Sequence, residues 1–289
     1  MSTATSTPTP AAPAARARAA APLPSTLTLA LARTRIELVE FFRERDAVIF
    51  IFAYPIIMMA IFATVFDDQV QSDGSVEVAF AQYFLPGILA TGIMLTSFQT
   101  MAIDLAVQRD TGALKRLRGT PLPVTAFFLG KVGQVLVNTG VQVALLLALA
   151  FVVYDVPVPD AEHWATFAWV LVLGTATGTV CGVAFSSVPR TGKSASAVVT
   201  PVVLVLQFVS GVFFAFYALP GWMQDLASVF PLKWMAQGMR SVFLPDGAKA
   251  LEPSGSWELG TTAAILGAWL IVGLVLGTRT FRWRRRDDG

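Results

Sequence analysis

Few residues of this 289-residue chain have the types and spacing that catalytic chemistry requires. The stretch PRTGKSAS, residues 189–196, contains the Gly-Lys-Ser of a phosphate-binding loop, in which backbone amides and a lysine cradle a nucleotide's phosphates. Such a loop also needs a glycine five residues before Gly192, where this chain has Ser187, and a strand leading into it, where this chain has a long apolar run. Lys193 therefore reads as an orienting charge. One histidine, His163, and one cysteine, Cys181, leave no His/Cys cluster for a metal and no internal disulfide. Asp67-Asp68, and Asp225 with Lys233 and Arg240, are too sparse for paired acid–base work. No catalytic residue is expected, and the chain reads as a non-enzyme.

What carries these residues is mostly membrane. With 55% hydrophobic residues against 14% charged, the chain has more apolar surface than a soluble domain can hide. A bilayer core about 30 Å thick takes about 20 apolar residues in a helix. Six stretches qualify: 47–66, 80–103 (kinked at Pro86-Gly87), 132–153, 164–188, 195–216 (with Pro201 inside) and 260–280. On this arrangement 18 of the 21 lysines and arginines fall on one side, and only Lys233, Arg240 and Lys249 on the other. Basic residues gather in cytoplasmic loops, which puts both termini in the cytoplasm. Residues 1–26, rich in Ala, Pro, Ser and Thr, lack the apolar core of a secretory signal and read as a disordered cytoplasmic tail. Residues 284–289 form a second, charged tail. The expected fold is an all-α polytopic membrane protein whose transmembrane domain covers residues 27–283.

Two further segments do not span. LTLALARTRIELVEFFRERD, 27–46, is interrupted by charge, yet Leu27, Leu31, Leu38 and Phe42 share one side. Arg33 and Glu37 can pair at i, i+4. This segment is predicted to lie in the membrane interface, apolar face in lipid. Residues 218–244 are too broken by Pro, Gly and charge to cross. Their apolar residues, mixed with Trp222, Lys233, Trp234 and Arg240, predict short outer or re-entrant helices between the fifth and sixth spans.

The loop after the second span reads RDTGALKRLRGTPLP, 109–123. Asp110 or Thr111 can cap a short helix that Gly119, Pro121 and Pro123 end. Leu114 and Leu117 lie on one face at i, i+3, and Lys115 and Arg118 on another. Two turns are too few to stand alone in water, so the segment is either a positive-inside anchor or a helix held by a partner. Extended to RDTGALKRLRGTPLPVTAFFLGK, it resembles the corresponding segment of ABC-2 type transporter permeases. That segment has an acidic/basic start, Gly-Thr or a variant, Leu-x-x-Leu, and a proline before the third span. Arg109, Asp110, Gly112, Leu114, Leu117 and Pro121 occupy those positions, with Thr111 where many relatives have Glu. The resemblance extends over residues 27–286 and is strongest to the drug- and antibiotic-export permeases of the daunorubicin-resistance type.

The resemblance implies a transport subunit of the bacterial cytoplasmic membrane with no cofactor of its own, ATP and Mg being held by a separate ATPase. It implies that Arg109, Asp110, Thr111, Gly112, Ala113, Leu114, Lys115, Arg116, Leu117 and Arg118 form the coupling helix. Leu114 and Leu117 would fill a groove on the ATPase, and Lys115, Arg116 and Arg118 would meet its acids or lipid phosphates. Two ATPase copies and a second permease, identical or a sister, complete the assembly; nucleic acid has no role. The cargo implied is a hydrophobic or amphipathic drug, antibiotic or lipid-like molecule, with a polysaccharide or lipid-linked glycan as the alternative.

An ion-coupled carrier is the competing class. Ion pathways rely on carboxylates or histidines within spans, and mid-span positions here carry no Asp, Glu, His, Lys or Arg. Asp104 and Lys131 fall near the cytoplasmic edge, as snorkelling residues or a local ion pair. Gln134, Asn138 and Gln142 recur at i, i+4, i+8 as one polar stripe, suited either to interhelical hydrogen bonds or to a watery substrate path. Gln99, Gln207, Phe208, Phe213 and Phe214 complete the candidate path. Gly174, Gly178 and Gly182 repeat at i, i+4, i+8 and predict close helix packing.

Overall fold

The computed structural model describes residues 24–66, 70–72, 77–281 and 283. Residues 1–23 of the expected 1–26 tail, the expected tail at 284–289, and Asp67-Asp68 lie outside the described residues. Six helices among them are long and apolar enough to cross a membrane: Arg45–Val65, Phe80–Asp110, Val124–Val153, Ala161–Phe185, Gly192–Val209 and Leu259–Thr280.

Helix α1, Thr26–Arg43, starts where the Ser25 hydroxyl accepts the Thr28 amide. Its stripe of Leu27, Leu31 and Phe42 is exposed, as an interfacial helix requires. The other side, with Ala30, Glu37 and Phe41, is buried against the bundle. The chain breaks at Glu44 and turns into α2, Arg45–Val65. A short antiparallel hairpin, β1 Val70–Ser72 and β2 Glu77–Ala79, leads to α3, Phe80–Met94.

The second span is the axis of the bundle. Of its most apolar window 83% is buried, against 22% for the first span and 17% for the last. Helix α3 runs unbroken through Pro86-Gly87, where a kink is expected, to Met94. Gly87 instead allows close approach, since a Cβ there would stand 3.1 Å from the Val212 carbonyl. The irregularity comes later, as a π-helical turn at Leu95–Gln99, before α4, Thr100–Asp110. Hydroxyls stabilise that wider turn: Thr96 donates to the Gly92 carbonyl at 2.9 Å and Thr100 to the Leu95 carbonyl at 2.9 Å. The glycine repeat packs here as expected. A Cβ on Gly178 would meet Ser97 Oγ at 2.1 Å, and one on Gly182 the Phe98 carbonyl at 2.7 Å.

A short helix α5, Ala113–Arg118, follows, then α6, Val124–Val153, and α7, Ala161–Phe185. The third span thus starts eight residues before the expected 132, and this extension receives α1. Gly130 and Gly133 make the approach possible: side chains there would run into Arg33 and Thr34. The fifth span, α8 Gly192–Val209, ends well short of the expected 216 because the chain turns at Gly211, φ +70°, a left-handed conformation that glycine adopts without strain. Helices α9, Gly221–Val229, and α10, Pro231–Phe243, are the short non-spanning pair expected there. The last span is α11, Leu259–Thr280.

Candidate functional site

The loop after the second span is built differently from its expected form. Neither Asp110 nor Thr111 caps the short helix: α4 runs on through Asp110, and the Thr111 amide still donates to the Val107 carbonyl at 2.9 Å. A capping residue needs extended backbone, which a helix continuing past it denies. Gly112 makes the corner instead, at φ +73°, a left-handed conformation that a Cβ disfavours.

Leu114 is 0% exposed and packs with Met101, Leu105, Phe127 and Val135, with Leu117 half-buried beside them. The expectation that Leu114 fills a groove on another subunit is therefore corrected: it meets the chain's own helices and anchors α5, while Leu117 keeps part of its surface open. What α5 presents outward is Lys115, Arg116 and Arg118, all exposed. Thr111 is exposed too, and Ala113 is half-buried in a small groove of about 280 Å³ shared with Arg33 and Glu40 of α1.

Arg109 is likewise part of the support. It is buried, and its guanidinium donates to the Ser186 carbonyl at 2.9 Å and the Pro189 carbonyl at 2.8 Å. This fastens the α7–α8 connection beside α5. The Gly-Lys-Ser of that connection is a helix cap: Thr191 Oγ1 accepts the Ser194 amide at 3.2 Å, and Ser194 Oγ accepts the Thr191 amide at 3.3 Å. Helix α7, not a strand, precedes it.

Beneath α5 lies a buried charge cluster. The Lys131 ammonium pairs with Glu37 at 2.6 Å and with Asp104, and Glu37 also pairs with Arg33. Both sequence expectations, the Arg33–Glu37 pair and a local pairing of Asp104 with Lys131, are met. The convergence of α1, α4 and α6 on one ammonium was not read from the sequence, although the glycines flanking Lys131 carried the signal. Burial pushes the Glu37 carboxyl above the ordinary carboxylate range, against the pull of Lys131 and Arg33.

Above this cluster, a cleft of about 700 Å³ separates α1 and α2 from α8, floored by the π-turn and α4. Of the candidate path residues it collects Gln99 and Gln134. Asn138 and Gln142 are buried further along the stripe, and neither Asn138 Oδ1 nor the Gln142 amide atoms have a hydrogen-bond partner. The interhelical bond beside them is instead Thr96 to Thr139, 2.7 Å. Gln207 accepts from the Tyr54 hydroxyl at 2.9 Å, bridging α2 and α8. Phe208, Phe213 and Phe214 do not join the cleft; Phe213 packs at a tilt into a ring cluster with Phe62, Phe84 and Phe208.

At the other end of the bundle the sequence missed a second buried pair. Arg240 of α10, 1% exposed, is bound to Glu252, 4% exposed, in the connection to α11. Lys233, Gln237 and Arg240 at i, i+4, i+7 on α10 were its sequence signal.

Comparison with known proteins fits this arrangement. The chain is 25% identical over 195 residues to the inner membrane transport permease YadH of Escherichia coli K12, covering 66% of this chain and 74% of that protein. It is 23% identical over 189 residues to the probable multidrug ABC transporter permease YbhR of the same organism, covering 64% of this chain and half of that one. The sequence model of the ABC-2 type transporter matches residues 28–244, from α1 through the whole of α10. With its amphipathic first helix, six apolar spans and a basic helix mounted after the second, this multi-pass membrane protein belongs to the ABC-2 type transporter family.

Proposed function

We propose that the chain is the membrane subunit of an ATP-driven exporter, moving a hydrophobic or amphipathic substrate outward. Its basic end faces the cytoplasm, as the distribution of lysine and arginine supports. A separate ATPase subunit, holding ATP and Mg, docks on the exposed face of α5. Two such subunits and a second permease, identical or a sister, make the complete machine. The name of the YbhR relative supports a multidrug cargo.

The observation that carries this reading is the division of α5. Leu114 locks the helix to α4 and α6, while Lys115, Arg116 and Arg118 stand outside. A push on α5 therefore reaches the second span directly, and a basic surface meets acids on a partner. Ion coupling is the less supported alternative: Asp104 and Lys131 sit toward one end of their spans, Phe80–Asp110 and Val124–Val153, instead of halfway across, and Glu37 belongs to the non-spanning α1.

Charge reversal tests it. K115E/R116E/R118E should insert in the membrane in normal amounts yet lose co-purification of the ATPase subunit and substrate-stimulated hydrolysis. Undiminished co-purification and transport would remove α5 from the coupling route.

A further inference from the structure

The end of the last span meets the anchor of α5. Helix α11 stops at Thr280, and the backbone leaves it extended at Phe281, φ −63° and ψ 128°. Positions two apart in extended chain point the same way. The Phe281 and Trp283 rings accordingly lie together, 5.2 Å between centroids and close to perpendicular. Both meet α6: Phe281 packs edge-on to Phe128 at 5.3 Å, and Trp283 packs on Phe127 at 5.6 Å. Neighbours on a helix point about 100° apart, so the C-terminal pair grips two sides of α6 at once.

Phe127 gives that grip its consequence. It is 1% exposed and belongs to the cluster that buries Leu114 with Met101 and Leu105 of α4. The Arg33 guanidinium of α1 stands 5.5 Å from its ring centroid, a cation–π distance. One ring thus joins α1, α4, α5 and the end of α11. Helix α5 has only six residues, and so short a helix has little stability of its own. What fixes Phe127 therefore fixes the seat of α5. Helix α11 itself packs on α7 and α10, and its aromatic end carries it to this layer. Phe281 and Trp283 both lie past residue 244, where the family match ends.

We propose that Phe281 and Trp283 are positioning residues for α5. They brace Phe127 and Phe128 from the side of the last span, which keeps the seat of Leu114 rigid when a partner pushes on the helix. As a part of coupling this rests on the exporter reading; the brace itself is a property of the chain alone.

Hydrogen–deuterium exchange of the full chain in lipid nanodiscs, with no partner added, reads the brace directly. Trp283→Ala removes two ring contacts, so exchange of the α5 amides should rise about tenfold through local opening. Peptides from α3 and α10 should keep their protection. Trp283→Phe retains a ring and should restore most of the protection of α5. Trypsin cleavage after Lys115, Arg116 and Arg118, which needs the helix to open, should rank the variants in the same order. With an ATPase subunit present, Trp283→Ala should lower transport per ATP hydrolysed while co-purification persists, because the basic face is intact. Unchanged α5 exchange in Trp283→Ala, a rise shared equally by α3 and α10, or transport per ATP held at the wild-type value would overturn the assignment. Undiminished transport by K115E/R116E/R118E, together with a loosened α5 in Trp283→Ala, would instead sink the docking role of α5 and leave the brace standing.

Discussion

The two ends of the bundle each bury a salt bridge, and the two are built for different purposes. At the α10 end, Arg240 and Glu252 are sealed, with side chains 2% and 3% exposed. Their remaining atoms, Arg240 Nη2 and Glu252 Oε2, find no partner. At the α5 end, Lys131 serves two carboxylates, one of which, Asp104, is 30% exposed and opens on the cleft. A sealed pair has one arrangement and fixes the α10–α11 connection. A shared ammonium with a wet partner can release one carboxylate and keep the other. The lesson is that this chain keeps rigid charge far from α5 and exchangeable charge directly beneath it.

Breaking the sealed pair should have the largest effect. Arg240→Met leaves Glu252 buried without its cation, at about 3–5 kcal/mol, read as loss of folded protein in detergent thermal-stability assays. Arg240→Met with Glu252→Leu should recover most of that, since apolar replacement removes both charges. Lys131→Met should cost less, about 1–3 kcal/mol, because Glu37 keeps Arg33 and Asp104 keeps water. Its mark should be functional: loss of transport in excess of loss of fold. The smallest effect belongs to Asp104→Asn, below about 1 kcal/mol by analogy with partly exposed pairs, measured in the same assay. Equal costs for Arg240→Met and Lys131→Met would erase the contrast between the two ends.

The sequence shows the spans plainly, since apolar length alone marks a helix in lipid. It also shows the non-spanning helix ahead of the first span, by the exposed stripe of Leu27, Leu31 and Phe42, and the close packing at Gly178 and Gly182. Other features depend on what packs against what. Leu114 has the same i, i+3 signature whether it meets a partner or its own bundle, and only the neighbouring Met101 and Phe127 decide. Arg109 reads as a surface charge until the α7–α8 carbonyls come within reach. The π-turn has no period of its own in the sequence; it depends on hydroxyls at Thr96 and Thr100 and on glycines of another helix. Of the candidate path, Gln99 and Gln134 meet in space, while Phe213 and Phe214 fall beyond the end of α8 at Val209 and Phe208 packs on Phe213 instead.

The most direct test of the account is efflux of a fluorescent amphipathic dye from liposomes containing this chain, with and without an ATPase subunit. The account predicts uphill efflux only when that subunit and ATP are both present, and none under a proton gradient alone. Sustained uphill efflux by this chain on its own would contradict it.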